Sequence, residues 1–186
     1  MKNKIKLVIA ILFFTNTLYA QNDNSQEKTK QEKGYFNITE LGYYAGNSNI
    51  RRANDGTSSS VDIKSLRTIN GLFLTQKFSL GIGIGVDGVK IKDYGFFNTV
   101  NAFADVRYYL KDDEDGYFFY MDLGSAIKIS SDTQKGLLLN LGVGHKFMLS
   151  DNFIIVPSIG YNQQDFKVTS TKYSNETLAL KIGMLF

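Results

Sequence analysis

The final ten residues constrain this chain more than any other segment. Leu178, Leu180, Ile182, Met184 and Phe186 alternate with Thr177, Ala179, Lys181, Gly183 and Leu185. A period of two sustained over this length specifies a β-strand with one continuous apolar face. The same period recurs along the chain, and composition agrees with it. There are 17 Gly, 14 Phe and 11 Tyr but a single Pro. Beyond residue 20 no stretch is apolar for the ~20 residues that a membrane-crossing helix requires.

From Gly34 onward the sequence divides into eight strand-like runs separated by turn signals, at approximately 35–46, 61–75, 78–90, 97–110, 117–130, 136–149, 152–166 and 175–186. Each has the ~9–11 residues with which a tilted strand crosses a bilayer, plus overhang. The second, fourth and sixth connections are Gln76-Lys77, residues 111–116 and Ser150-Asp151, and are mostly short. The odd-numbered ones, residues 47–60, 91–96, 131–135 and 167–174, are mostly longer. Short turns at one end and longer loops at the other are the asymmetry of an outer-membrane barrel, with both termini on the periplasmic side. The expected fold is therefore all-β, an eight-stranded antiparallel up-and-down transmembrane barrel over residues 34–186.

The amino-terminal segment reads as an export signal. Lys2, Lys4 and Lys6 precede an apolar run from Leu7 to Phe14, and Ala20 stands at a polar boundary. This arrangement predicts a signal peptide over residues 1–20, cleaved after Ala20. Residues 21–33 (QNDNSQEKTKQEK) hold no large apolar side chain and predict a disordered periplasmic lead-in. Charge takes its meaning from this division. The whole chain has 21 Lys+Arg and 18 Asp+Glu, and the signal holds three lysines and no acids, so residues 21–186 balance at 18 of each. The basic pI belongs to the signal and lends no support to a nucleic-acid partner. The absence of cysteine excludes disulfides and thiol catalysis.

Alternation also sorts charge. In the third run, Phe78, Leu80, Ile82, Ile84 and Val86 oppose Ser79, Gly81, Gly83, Gly85 and Asp87; in the fourth, Val100, Ala102, Ala104, Val106 and Tyr108 oppose Asn101, Phe103, Asp105, Arg107 and Tyr109. Glycines suit a narrow barrel interior, and interior charges are tolerable when paired or wet. The expected lumen network sets Glu40, Asp87, Asp105 and Asp122 against Arg107, Lys128, Lys146 and Lys181. These groups either keep a filled interior neutral and ordered or gate a narrow path for ions or small solutes. A barrel of eight strands is just wide enough to be filled by side chains, which favours the first.

Other motifs carry little. Gly83-Ile84-Gly85-Val86-Asp87-Gly88 matches a dinucleotide fingerprint in letters, but strand alternation runs through it where a helix is required. Asp112-Asp113-Glu114-Asp115-Gly116 resembles a calcium loop with Lys111 at the first ligand position, and reads better as a solvated turn. His145, the single histidine, shares a face with Val143 and Phe147 near the periplasmic end; it has no second histidine for a relay and reads as an interfacial ring. Aromatics near the run ends, among them Tyr35, Phe36, Phe96, Tyr108, Tyr109, Tyr117, Phe118 and Phe119, predict interfacial girdles. Pro157 falls inside the seventh run, where a missing N–H predicts a bulge.

The signal peptide, the eight runs, the loop asymmetry and the terminal Phe186 resemble the small OmpA/OmpX-type outer-membrane barrels. Tyr35 to Tyr43 (YFNITELGY), Thr68-Ile69-Asn70-Gly71 and Ala104-Asp105-Val106-Arg107-Tyr108-Tyr109 are similar to the small barrels of the Bacteroidetes type. The resemblance implies a Gram-negative outer-membrane location, contact with lipid and lipopolysaccharide, and a monomeric barrel without cofactor. It also implies that the barrel-assembly machinery reads Leu180, Ile182, Met184 and Phe186. These families include adhesins, scaffolds, narrow channels and lipid-modifying enzymes on one frame. The function expected is structural or surface interaction through the outer loops, with Arg51 and Arg52 as contact residues. A channel gated by lumen charges is the alternative, and a lipid-modifying enzyme ranks below it because no nucleophile–base pair lies near the outer rim. No catalytic, cofactor or metal residue is assigned.

Overall fold

A computed structural model describes residues 33–52, 55–113, 115–127, 133–134, 136–150, 153–168 and 170–186. The predicted signal peptide and nearly all of the lead-in lie outside the described residues. Eight long strands are found among them: β1 (Gly34–Arg52), β2 (Asp55–Thr75), β3 (Phe78–Ile91), β4 (Gly95–Tyr109), β5 (Gly116–Ile127), β6 (Leu137–Ser150), β7 (Phe153–Val168) and β8 (Thr171–Leu185). A two-residue strand, Thr133–Gln134, pairs with the end of β7. Each long strand is antiparallel to its sequence neighbours, and β8 pairs back onto β1, so the sheet closes into the expected up-and-down barrel.

The register fixes the shape. Tyr35 is paired with Leu72, and the row continues through Leu80, Val106, Met121, Leu141, Tyr161 and Leu178. It returns to β1 at Ala45, ten residues beyond Tyr35. A stagger of this size tilts the strands against the barrel axis by roughly 35–45°. The seam is closed at its end by reciprocal backbone bonds, Asn37 N to Phe186 O at 2.9 Å and Phe186 N to Asn37 O at 2.8 Å.

Side chains sort by parity as the third and fourth runs require. Leu80, Ile82, Ile84 and Val86 are exposed, whereas Asp87, Asp105 and Asp122 are wholly buried. An apolar outside around a charged inside is the arrangement of a barrel surrounded by lipid and is inverted for one surrounded by water. The interior also holds two apolar clusters. One, toward the chain termini and short turns, gathers Phe36, Phe73, Tyr109, Phe118, Ile154 and Val156. The other, toward the longer hairpins, gathers Ile50, Val61, Ile91, Phe166 and Tyr173.

Three local expectations are corrected. Phe36, Tyr109 and Phe118 are not girdle residues: they point inward and pack at a tilt, Phe36 against Phe73 at 4.9 Å and Tyr109 against Phe118 at 5.5 Å between ring centres. Only alternate members of each aromatic pair or run reach the outside, as Tyr35, Tyr108, Tyr117 and Phe119 do. Residues 47–60 and 167–174 are mostly not loops. The β1–β2 ladder continues to Arg52 opposite Asp55, and the β7–β8 ladder to Val168 opposite Thr171. Their polar side chains have the composition of a loop but stand on a sheet. Pro157 sits at no bulge: it keeps its place opposite Ile182, and the register with β6 is the same on either side of it. That ladder lapses at His145 and Lys146, facing Pro157 and Val156, where the missing N–H removes a rung. The shift in register falls instead between Met148 and Ser150.

Candidate functional site

Between the two apolar clusters the lumen is crossed by one connected ion-pair network. Arg107 on β4 donates from Nη2 to Glu40 Oε1 on β1 at 2.8 Å, and from Nε to both oxygens of Asp105 at 3.1 Å. Lys181 on β8 lies 3.2 Å from Glu40 Oε2 and 3.7 Å from Asp122 Oδ2 on β5. Arg67 on β2 reaches Asp87 Oδ2 at 3.3 Å and Asp122 Oδ2 at 3.6 Å. Neutral side chains join it: Asp87 accepts from Ser65, Asn101 and Gln164, and Asp122 accepts from Asn140 at 3.1 Å. Strands β1 to β8 each supply at least one member.

Aromatic faces cover the cations. The Arg67 guanidinium lies 5.2 Å from the Tyr44 ring centre and 5.3 Å from that of Phe103; Lys181 Nζ is 3.8 Å from the Tyr120 ring centre. Glycines opposite these long side chains give them room. A Cβ at Gly85 would come within 2.6 Å of Arg67 Cγ. Charges withdrawn from water are tolerated when paired and hydrogen-bonded throughout, and removing one partner strands the others.

Glu40, Asp87, Asp105, Arg107, Asp122 and Lys181 meet in this network. Lys146 is in the lumen nearer the termini, donating from Nζ to Asp113 O at 3.1 Å and lying 4.6 Å from the Tyr109 ring centre. Lys128 lies outside the described residues. Arg67 was missed. Its strand places Ile63, Ile69 and Phe73 inside and Leu66, Leu72 and Leu74 outside, so both faces look apolar. Counting in twos through Ser65, Arg67, Ile69 and Gly71 would have aligned it with the small-residue face.

Leu180, Ile182, Met184 and Phe186 all project outward beside the seam. Arg51 is exposed near the tip of the β1–β2 hairpin, and Arg52 is paired by its backbone with Asp55. His145 is on the outer face between Tyr117 and Phe147, each at a ring-centre distance of 4.3 Å, with Nε2 3.5 Å from Asp115 Oδ1. Among the described residues no group of three or more His, Asp or Glu side chains is placed to hold a metal ion.

No protein-family model matches the chain, and no curated protein matches its sequence. Its fold does have solved counterparts. Neisserial surface protein A superposes with a TM-score of 0.50 at 14% identity, over 82% of this chain and 97% of that one. The outer membrane protein OprG from Pseudomonas aeruginosa superposes with a TM-score of 0.54 at 12% identity, over 84% and 98%. The closed ring, the apolar outer belt and the charged, filled lumen define a small eight-stranded β-barrel of the outer-membrane type.

Proposed function

We propose that this protein is an integral barrel of a Gram-negative outer membrane, non-catalytic and with a plugged lumen, whose role is structural or surface interaction through its raised hairpins. One observation carries the reading: the sheet of β7, β8, β1 and β2 continues beyond the apolar belt and turns polar as it does. On β1 the outward residues change from Leu41 and Tyr43 to Asn47, Asn49 and Arg51. From Ala45 to Arg51 the strand gains roughly 20 Å at ~3.3 Å per residue. At that level Arg51 is paired with Lys172, and Lys172 with Lys167, so three cations stand side by side on one outward face. Asp165 lies 3.6 Å from Lys172 and offsets part of that charge.

Such a row suits the phosphates and carboxylates of lipopolysaccharide, which would steady the barrel in the outer leaflet. In this reading residues 1–20 direct export, and the outward row ending at Phe186 is what the assembly machinery engages. The channel reading is weaker, because both apolar clusters and the ion-pair layer would have to be displaced together. The test is the amount of lipopolysaccharide retained by the detergent-extracted barrel. The Arg51→Glu, Lys172→Glu variant is expected to retain several-fold less, with a smaller dependence on salt; equal retention would remove the row from this role.

A further inference from the structure

The outward belt is apolar at most described positions, and a polar patch on neighbouring strands interrupts it. On β1 and β2, Asn37 is paired with Asn70 and Thr39 with Thr68, and all four side chains point outward. They lie inside the belt and not at its rim. Along their own strands, exposed Leu72 and Leu74 flank the four on the side of the short turns, and exposed Leu41 and Leu66 follow on the far side. The four are bonded to one another. Asn37 Nδ2 donates to Thr68 Oγ1 at 3.2 Å, to Asn70 Oδ1 at 3.0 Å and to Ile69 O at 3.3 Å, and Thr39 Oγ1 donates to Asn37 Oδ1 at 3.4 Å. Tyr35 Oη also donates to Asn70 Oδ1. Asn70 is exposed, and its Nδ2 donates to nothing among the described residues.

We propose that this polar patch is the contact surface between two copies of the barrel, so that the protein pairs in the membrane where the resemblance implies a monomer. Hydrocarbon offers neither donors nor acceptors, so an exposed amide at this depth is satisfied only by another polar surface within the membrane. The patch is neutral and carries amide donors and acceptors together, which makes it complementary to itself. A twofold axis through it sets each Asn70 Nδ2 toward the partner copy's carboxamide or threonine oxygens, an isologous contact of the commonest kind. The neighbouring surface allows close approach. A furrow of about 550 Å³ begins at Asn70 and runs past Ile82, Ala102, Ala104 and Ser125, where short side chains leave the wall low. Small residues flanking a polar contact are how membrane-embedded surfaces pack against each other. A charged lipid headgroup is a poorer occupant, since no ionised side chain stands in the patch.

The chain has no cysteine, so single thiols introduced on the belt report which walls meet. Leu72→Cys lies beside the patch and Leu141→Cys on the opposite wall, and both sites are exposed. The full chain carrying each would be reconstituted in phosphatidylethanolamine–phosphatidylglycerol vesicles over a range of protein densities and oxidised. Disulfide dimers are expected at Leu72→Cys and not at Leu141→Cys. Adding Asn37→Leu and Asn70→Leu is expected to lower the dimer fraction about ten-fold at fixed density, the effect of losing an amide contact in lipid. Heat-modifiable mobility on gels would show that the double variant still folds. No dimer at Leu72→Cys, equal dimer at both sites, or dimer unaffected by the leucines in a folded barrel would each overturn the proposal.

Discussion

Arg107 and Glu40 meet at 2.8 Å across the lumen although 67 residues separate them in sequence. One stands on β4 and the other on β1, strands that are not neighbours in the sheet, so the pair ties opposite parts of the wall together. Both are buried, and each has a second partner, Asp105 for the arginine and Lys181 for the glutamate. The pair is therefore the junction of the lumen network.

Removing the arginine leaves Asp105 without its ion-pair partner and Glu40 with Lys181 alone. Arg107→Ala is expected to cost about 3–5 kcal/mol, the usual penalty for breaking a buried pair from one side. The readout is the temperature or denaturant concentration at which the folded gel band converts to the unfolded one. An unchanged transition would mean that the charges are solvated and the lumen is wet.

Neutralising both sides should be milder. Asp105→Asn with Arg107→Met removes the charges together and keeps approximate volume, with Glu40 still held by Lys181, so its transition is expected to lie nearer the wild type than that of Arg107→Ala. A double variant as unstable as the sum of the single ones would show that the two residues act independently.

The outer belt makes a prediction that depends on position. Ile82 is 73% exposed in the middle of the apolar surface, and Ile82→Arg is expected to destabilise the barrel in lipid by about 2–4 kcal/mol. Asn49→Arg, on the raised part of β1, is expected to change stability by less than about 0.5 kcal/mol. Unfolding in vesicles with urea separates the two, and equal effects would mean that the belt does not end near Ala45.

Pro157 offers a test of local accounting. Its ring removes an N–H opposite β6, and the ladder lapses there. Pro157→Val supplies the donor without altering the outward face, and is expected to stabilise the barrel by about 1 kcal/mol. A loss of stability would show that the lapse at His145 and Lys146 has another cause.

The strand count and the closing seam were legible because alternation in β3, β4 and β8 is strict and a one-residue slip would reverse every side chain. What was hidden has physical reasons. In β2 the lumen is itself partly apolar, so Arg67 lacked a polar face to mark it. Paired aromatics such as Tyr108 and Tyr109 share composition, and only parity sends one outward and the other into the inner cluster. The raised hairpins were hidden by chemistry: above the belt the outward face of the sheet turns polar, so Asn47, Asn49 and Ser60 looked like loop residues. The patch of Asn37, Thr39, Thr68 and Asn70 required the register itself, since neither strand alone shows four polar groups side by side.

The central claim is that the lumen is filled and does not conduct, and single-molecule recording tests it directly. The folded full chain, verified by heat-modifiable mobility, would be inserted in a planar bilayer beside Arg107→Ala. The account predicts no discrete conductance steps from the wild type, because the apolar clusters around Phe118 and Phe166 close the lumen on both sides of the charges. Reproducible steps from the wild type, altered by Arg107→Ala, would contradict it and make the ion-pair layer the gate of a narrow channel.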